Sequence, residues 1–285
     1  MSALREAEKI MSIQLRADRV LFRFSGVDAH KLLNDVLTGP VPAEAGPAAP
    51  WALLSPQGKI LAEGLVGWQD DALWADVHVS VADDFFKRMR LYRLRASAEI
   101  EDLRESWRVG FSTEPRTGVS CQADRAGPVA LGWRILAPVE AAAAWQADDT
   151  DYHRIRIAAG IAQQGADFPA NDVFAHDIGL DLLQGIDFAK GCYVGQEVVS
   201  RMKHRGTARR RPVVVSGITA EAGAPVITGG REAGTIGQVV DGKAVAILRL
   251  DRIADPAAVT VADRPVSLSL PVWADYAFGQ AAPEA

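Results

Sequence analysis

The chain has 285 residues, of which 48% are hydrophobic and 24% are charged, and its formal net charge at pH 7 is -5. This length and composition predict a soluble globular protein of two or three domains. The acidic balance excludes a general nucleic-acid binder, although local basic patches stay open. No stretch reaches the ~20 apolar residues of a transmembrane helix, so we expect no membrane span.

The first 111 residues predict strands and helices without the alternation of a βαβ fold. Leu32, Leu33, Val36 and Leu37 form the apolar face of a helix that Gly39 ends. The other predicted elements of this part are short strands within 11–24, strands over 51–54, 60–68, 72–78, 95–101 and 107–111, and a helix over 80–91.

Residues 112–151 are predicted to be irregular, because glycines, prolines and an alanine run interrupt any periodicity. Helices are predicted over 152–162 and from about 193–195 to 204. From Pro212 onward, short strands separated by glycine and proline turns are typical of a small closed or sandwiched β domain. The predicted domains are residues 1–111, 112–206 and 207–285.

The two cysteines, Cys121 and Cys192, are far apart and neither belongs to a CxxC pair. A disulfide between them stays possible. Two thiols are too few for a zinc site or a cluster with four soft ligands, so no permanent metal is expected. The N-terminus carries Arg5, Glu6 and Lys9 without an apolar run, which argues against a secretory signal. The expected location is the cytoplasm, or the mitochondrial matrix in a eukaryote.

The charge changes sign around residue 190. Five aspartates and no lysine or arginine lie between Asp167 and Asp187, and six basic residues follow within 201–211. Cys192 lies two residues after Lys190 and at or just before the predicted helix start, and both features favour a thiolate. Such a thiolate attacks an electrophile, is oxidised or lends one ligand to a metal. Without further information, a cysteine in this position is more often a packing residue.

The segment Lys190-Gly191-Cys192-Tyr193-Val194-Gly195-Gln196-Glu197 resembles the motif K-G-C-Y-x-G-Q-E of the YgfZ group, folate-binding relatives of the glycine-cleavage T-protein. Every fixed position of that motif is met. Residues 32–38, 54–60 and 156–160 resemble further segments of the family in the same order. The resemblance implies an α+β fold: a three-part cloverleaf ring of two interleaved α+β domains and a C-terminal antiparallel β-barrel, with a reduced folate in the central channel.

By this resemblance, the chain assists the assembly or repair of [4Fe–4S] proteins, with tetrahydrofolate or a one-carbon derivative as cofactor. Cys192 would be the reactive thiol or a transient metal ligand, and Lys190 would tune it. The residues expected to contact folate or shape its pocket are Asn34, Asp35, Arg156, Tyr193, Gln196, Glu197 and Arg201. The expected partners are folate and iron–sulfur client or carrier proteins. RNA is not expected, because the basic run lacks interleaved aromatic residues.

Two other functions stay open. A folate-dependent aminomethyl or one-carbon transferase needs an acid or base beside the folate, for which Asp35, Asp167 and Asp172 are candidates. The chain lacks the T-protein segment Arg-Thr-Gly-Tyr-Thr-Gly-Glu and has Pro169-Ala170-Asn171-Asp172 where the family has Pro-x-Glu, which argues against glycine cleavage itself. A non-catalytic scaffold would use residues 201–211 as a docking surface for a protein partner.

Overall fold

The computed structural model describes residues 13–125, 128–206 and 208–279. The N-terminal residues considered above for a secretory signal lie outside these ranges. Within them the chain forms three antiparallel sheets. None of the described helices is both long and apolar enough to cross a bilayer.

The first sheet has five strands, and two helices cover its apolar face. In spatial order the strands are β3 (Ala49–Leu54), β4 (Ile60–Gln69), β5 (Ala72–His78), β2 (Arg19–Ser25) and β6 (Glu99–Asp102). Helix α1 (Ala29–Val36) buries Leu32, Leu33 and Val36. Val36 lies about one turn after the two leucines, so all three side chains fall on one face. A short 3₁₀ turn, Val79–Val81, leads into helix α2 (Ala82–Tyr92). Both helices pack on a core that includes Phe22 and Trp51.

The second sheet combines strands from both sides of residue 112. Its spatial order is β1 (Gln14–Leu15), β7 (Trp107–Ser112), β9 (Trp133–Pro138) and β8 (Ser120–Ala123). Strands β1 and β7 precede residue 112 and β8 and β9 follow it, so the chain segments interleave. Helices α3 (Val139–Ala142) and α4 (Thr150–Ala158) follow this sheet along the chain.

Two predictions for this region are wrong. Residues 112–151 are not irregular but contain β8, β9 and α3. The sequence pattern of β9 was missed because Arg134 occupies a buried position of this strand, where it pairs with Asp76 at 2.7 Å. The helix predicted over 152–162 ends at Ala158. Gly160 has a φ of 70° and a Cβ on it would lie 2.3 Å from Pro271, so the backbone turns away against the C-terminal segment.

A buried ion network joins the first two sheets. The carboxylate of Asp76 on β5 accepts hydrogen bonds from Arg19 on β2 at 2.8 Å and from Arg134 on β9 at 2.7 Å. Burial opposes the charge of Asp76, but the two guanidiniums outweigh it and hold the pKa of this carboxyl below its usual range. Since removing one partner leaves a buried charge unpaired, the network fixes the two sheets against each other.

The third sheet is a nearly closed barrel formed by the C-terminal residues. Its spatial order is β15 (Arg264–Pro265), β14 (Val259–Val261), β11 (Pro225–Thr228), β12 (Arg231–Ile236), β13 (Lys243–Arg249), β10 (Arg210–Ser216) and β16 (Ser267–Ser269). The edge strands β15 and β16 are separated by one residue, Val266, so the sheet curls back on itself. The predicted α+β class with a C-terminal antiparallel barrel is confirmed, whereas the domain boundaries stay a prediction.

Candidate functional site

The motif segment is a loop that leads into helix α5 (Gln196–Arg205). Gly195 precedes the helix with a φ of 83°, and a Cβ on it would lie 2.8 Å from the carbonyl oxygen of Ser55. A Cβ on Gly58 would likewise lie 2.8 Å from Val198 on α5. The turn between β3 and β4 therefore packs against the start of α5 at a distance that only glycine permits. Two of the family-like segments, 54–60 and 190–197, meet at this contact.

Lys190 fastens the loop to the end of α1. Its Nζ donates hydrogen bonds to the carbonyl oxygens of Leu37, the residue that caps this helix, and of Gly39, the latter at 2.8 Å. The ammonium also lies 5.3 Å from the ring centroid of Tyr193. Burial lowers the pKa of Lys190 to about 8, although the nearby carboxylates of Asp187 and Asp35 favour its charged form.

Cys192 is presented to solvent by neighbours that are held in place. It is a free, exposed thiol, and Cys121 is free as well. The next side chain, Tyr193, is buried in a core cluster with Val199, and burial raises the pKa of its hydroxyl to about 12. Cys192 lies four residues before the first residue of α5, farther from the helix than the sequence pattern indicated. The helix dipole acts mainly within the first turn, so its contribution at this thiol is small.

The other predicted motif contacts fall on the surface around this loop. Gln196 is half-buried, whereas Glu197 and Arg201 are exposed, and no ion pair joins these last two in the described part of the chain. Asn34 is half-buried on α1, and Asp35 is exposed and pairs with Lys31 at 2.5 Å. The structure thus brings Asp35 near enough to Lys190 for its carboxylate to favour the charged lysine, against the larger effect of burial.

Arg156 lies in a different place, inside the molecule. Its side chain is 0% exposed and pairs with Asp167 at 2.6 Å. It also donates to Gln238 Oε1 at 2.9 Å and to His153 Nδ1 at 2.8 Å. With its donors engaged by protein acceptors, Arg156 positions His153 and Gln238 and does not itself face an open surface.

His153 and Gln238 line a cleft of about 580 Å³ between the barrel and the two α+β parts. Its lining residues are Asp18, His78, His153, Gln163, Gly165, Ala166, Ala220, Glu221, Ala222, Gln238 and Val239. Asp18 and Gln163 are joined by a 2.5 Å hydrogen bond, and Arg16 donates to Gln163 at 3.0 Å. The cleft thus offers several ordered polar groups beside small apolar residues, a more polar lining than most small-molecule pockets have.

A second cavity lies deeper, where the ion network joins the first two sheets. Its volume is about 30 Å³, and its walls include Arg19, Asp76, Arg134 and Tyr152. One liquid water occupies roughly 30 Å³, whereas small-molecule pockets take about 300–1,000 Å³. The open cleft is therefore within the size range of small-molecule pockets, and the inner cavity is far below it. The sequence did not indicate the cleft, because its residues come from distant segments and carry no local motif.

The acidic and basic runs partly neutralise each other. Arg210 lies 3.5 Å from Asp172, and Arg211 forms a two-pronged pair with Asp181 at 2.7 and 3.0 Å. Arg211 is buried, so the basic run does not form one continuous docking surface. Beside this pair lies His176, 2% exposed, whose ring nitrogens have no hydrogen-bond partner among the described residues. Burial lowers the pKa of His176, because it disfavours the charged imidazolium.

This arrangement has the fold of the glycine-cleavage T-protein. The solved glycine cleavage system aminomethyltransferase T of Bartonella henselae superposes with a TM-score of 0.71, covering 96% of this chain and 90% of that one at 15% identity. Residues 208–276 match the family model of the C-terminal β-barrel domain of CAF17. The fold class is thus established independently of the motif.

The curated relatives have a shared name. The human iron–sulfur cluster assembly factor IBA57, mitochondrial, is 29% identical over 90% of this chain and 83% of its own length. Its mouse counterpart is 26% identical over the same shares. The IBA57 homologue of Mycosarcoma maydis is 29% identical over 70% of this chain, which spans about half of that fungal protein (55%). The homologues are thus iron–sulfur cluster assembly factors.

Proposed function

We propose that this chain is a folate-binding factor for the assembly or repair of [4Fe–4S] proteins, with Cys192 as its reactive thiol or transient iron ligand. The observation that carries the proposal is the exposed thiol of Cys192 on a loop anchored by Lys190 and Tyr193. The names of the curated relatives support the role in iron–sulfur cluster assembly. In a eukaryote the expected location is the mitochondrial matrix, in line with the word mitochondrial in those relatives' names, and otherwise the cytoplasm.

The anchored loop suits a thiol that must meet a partner. Lys190 and Tyr193 fix the backbone on both sides, so that Cys192 loses little conformational freedom when it engages another molecule. One thiol supplies only one of the four ligands that an iron–sulfur cluster needs. The remaining ligands would come from a client or carrier protein, with the cluster as cargo rather than as a resident cofactor.

The folate is proposed to bind in the open cleft. Asp18, Gln163 and Gln238 offer carboxylate and amide groups for the polar edge of a pterin, and Ala166 and Val239 offer apolar wall. When bound, tetrahydrofolate would supply a reduced pterin and a carrier of one-carbon units. Arg156, predicted to touch folate, would act through Gln238 and His153, which it holds at 2.9 and 2.8 Å.

The transferase alternative has less support. Of its candidate acids and bases, Asp167 is 0% exposed and locked against Arg156, and Asp35 and Asp172 are exposed residues paired with Lys31 and Arg210. None of the three carboxylates lines the cleft. A transferase would therefore need another group beside the folate.

Replacing the thiol tests the proposed function. In cells that lack their own relative of this protein, Cys192→Ala should reduce the activity of [4Fe–4S] enzymes toward the level of cells without the protein. The reason is that the exposed thiol is lost while no buried contact changes. Enzymes without iron–sulfur clusters serve as the reference.

Cys121→Ala is the matched control, because Cys121 is the other free cysteine and lies on β8. It should leave the [4Fe–4S] enzymes active. Both variants should melt within a few degrees of the parent protein in circular dichroism. Full [4Fe–4S] enzyme activity with Cys192→Ala would remove the role given to this thiol.

A further inference from the structure

A basic groove lies on the flank of α5, beside the turn between β3 and β4. Its volume is about 220 Å³, and it is lined by Lys59, Phe174, Asp177, Met202, Arg209, Arg210 and Arg249. Four of these seven side chains are cationic and one is a carboxylate. The groove forms where the β3–β4 turn, the end of α5 and strands β10 and β13 meet.

Two of the four cations are not neutralised by carboxylates. Arg249 pairs with Asp251 at 2.6 Å, and Arg210 approaches Asp172 at 3.5 Å. The exposed guanidinium of Arg209, in contrast, forms no hydrogen bond and no ion pair with any described residue, although its charge influences Asp251.

Lys59 is the second of these cations: no carboxylate among the described residues forms an ion pair with it, although its charge influences Asp177. Its Nζ donates to the backbone carbonyl of Asp172 at 2.7 Å and lies 3.7 Å from the ring centroid of Phe174. A carbonyl and an aromatic face orient an ammonium but leave its charge in place. The groove therefore keeps two positive charges, on Lys59 and Arg209, available to an anion.

We propose that this groove binds an acidic segment of a partner protein. Met202, in its wall, lies seven residues after Gly195, which is about 10 Å along the helix axis. Because the groove adjoins α5 and the motif loop leads into this helix, a partner that spans α5 would contact both the groove and the exposed Cys192. Complementary charge steers such a partner and fixes its orientation.

The tail of a folate is a poorer occupant. The groove and the cleft share no lining residue: the cleft is lined by Asp18, His78 and Gln163 and the groove by Lys59, Phe174 and Arg209, among others. A folate bound in the cleft would have to extend beyond the cleft for its tail to contact the groove. An acidic polypeptide approaching from solvent has no such restriction.

Peptide binding tests the groove without folate or iron. A fluorescein-labelled octaglutamate peptide, with octaglutamine as the neutral probe, is titrated with the full chain and followed by fluorescence anisotropy at about 50 mM salt, where exposed charges are weakly screened. Octaglutamate should bind more tightly. The double variant Lys59→Gln/Arg209→Gln should weaken it about tenfold, the effect expected for two partly exposed charge contacts.

The matched control is Lys243→Gln/Arg264→Gln, which changes the charge equally at two exposed barrel residues outside the groove. It should bind octaglutamate like the parent chain. Equal affinities for the two double variants, or no preference for octaglutamate over octaglutamine, would overturn the proposal. So would tighter binding of a γ-linked oligoglutamate or a single-stranded oligonucleotide that depends on the same two residues. Tetrahydrofolate binding by the Lys59→Gln/Arg209→Gln variant should be unchanged, which keeps this result separate from the cleft.

Discussion

Lys190 holds its ammonium group against the carbonyls of Leu37 and Gly39 instead of in water. Burial removes part of its hydration, which penalises the charged form, and the Asp187 and Asp35 carboxylates compensate only partly. The balance lowers the pKa to about 8. The charge at the base of the motif loop is therefore sensitive to pH in a range where an ordinary lysine is fully protonated.

A direct titration tests this balance. The Lys190 Nζ resonance, assigned by its loss in Lys190→Met, should titrate with a midpoint near pH 8 in nuclear magnetic resonance spectra. Because the folded-state pKa is below the unfolded value, the buried charge costs stability at neutral pH. That cost should fall as the pH rises from about 8 toward the unfolded value of about 10.4. A midpoint above pH 10 would contradict the burial of this amine.

Asp35→Asn adds a sharper control. Removing this carboxylate takes away a group that favours the charged lysine, so the Lys190 midpoint should fall further. Asp84→Asn makes the same change at an exposed position on α2 and should leave the midpoint where it was. The same shift in both variants would mean that Lys190 responds to net charge rather than to its neighbour.

At the scale of elements, the contact between the β3–β4 turn and α5 depends on Gly58 and Gly195. Gly195 combines a φ of 83° with a backbone contact to Ser55, so both its conformation and its space exclude a side chain. The motif glycines are not equivalent, however. A Cβ on Gly191 would meet no atom within 4 Å, and its φ is not positive. The sequence pattern alone treats both as fixed positions.

Alanine substitution distinguishes Gly195 from Gly191. Gly195→Ala should reduce the free energy of unfolding by about 1–3 kcal/mol, because it adds backbone strain and a clash with the Ser55 carbonyl. Gly191→Ala should change it by no more than about 0.5 kcal/mol. Urea unfolding midpoints of the two variants measure the difference. Similar midpoints would mean that the turn can move away from α5 at little cost.

The positions of strands along the chain were predicted better than the contacts that these strands make in the folded protein. The strand Ala72–His78 matches the predicted bounds, because alternation and turn residues are local signals. Strand β9 escaped prediction, because Arg134 occupies a buried position that only its distant partner Asp76 makes tolerable. A local sequence pattern cannot show that a charged residue has its partner 58 residues away.

At the scale of the whole molecule, the cleft exists only when the three sheets are assembled. Asp18 and His78 come from the first part, Gln163 from the segment after α4, and Gln238 from the barrel. Arg156 ties two of these parts together, because it pairs with Asp167 and donates to Gln238. Ligand binding in this cleft should therefore depend on the closed arrangement of the whole chain.

Calorimetry with tetrahydrofolate tests the cleft. The parent chain should bind, whereas Ala166→Trp should lose binding, because it places a large ring in the cleft without removing a hydrogen-bonding group. Ala257→Trp, at an exposed position of the barrel region, is the matched control and should bind like the parent. Lys190→Ala should also retain binding, because the motif does not line the cleft.

Two results would contradict this location. If Ala166→Trp bound folate like the parent chain while Lys190→Ala did not, the folate would lie at the motif rather than in the cleft. If the parent chain failed to bind, the chain would not be a folate-binding protein in this conformation. The role of Cys192 would stand in either case, because its test needs no added folate.

The sequence by itself determined most of the strands and helices, the barrel at the C-terminus and the motif that presents Cys192, because these depend on periodicity, turn residues and an ordered run of eight residues. Tertiary structure alone decided which charges are available. It buried Arg156 and Arg211 in ion pairs, left Arg209 and Lys59 facing a groove, and gathered Asp18, Gln163 and Gln238 into one cleft. The reason is that a charge acts through its neighbours in space, and those neighbours come from distant parts of the chain.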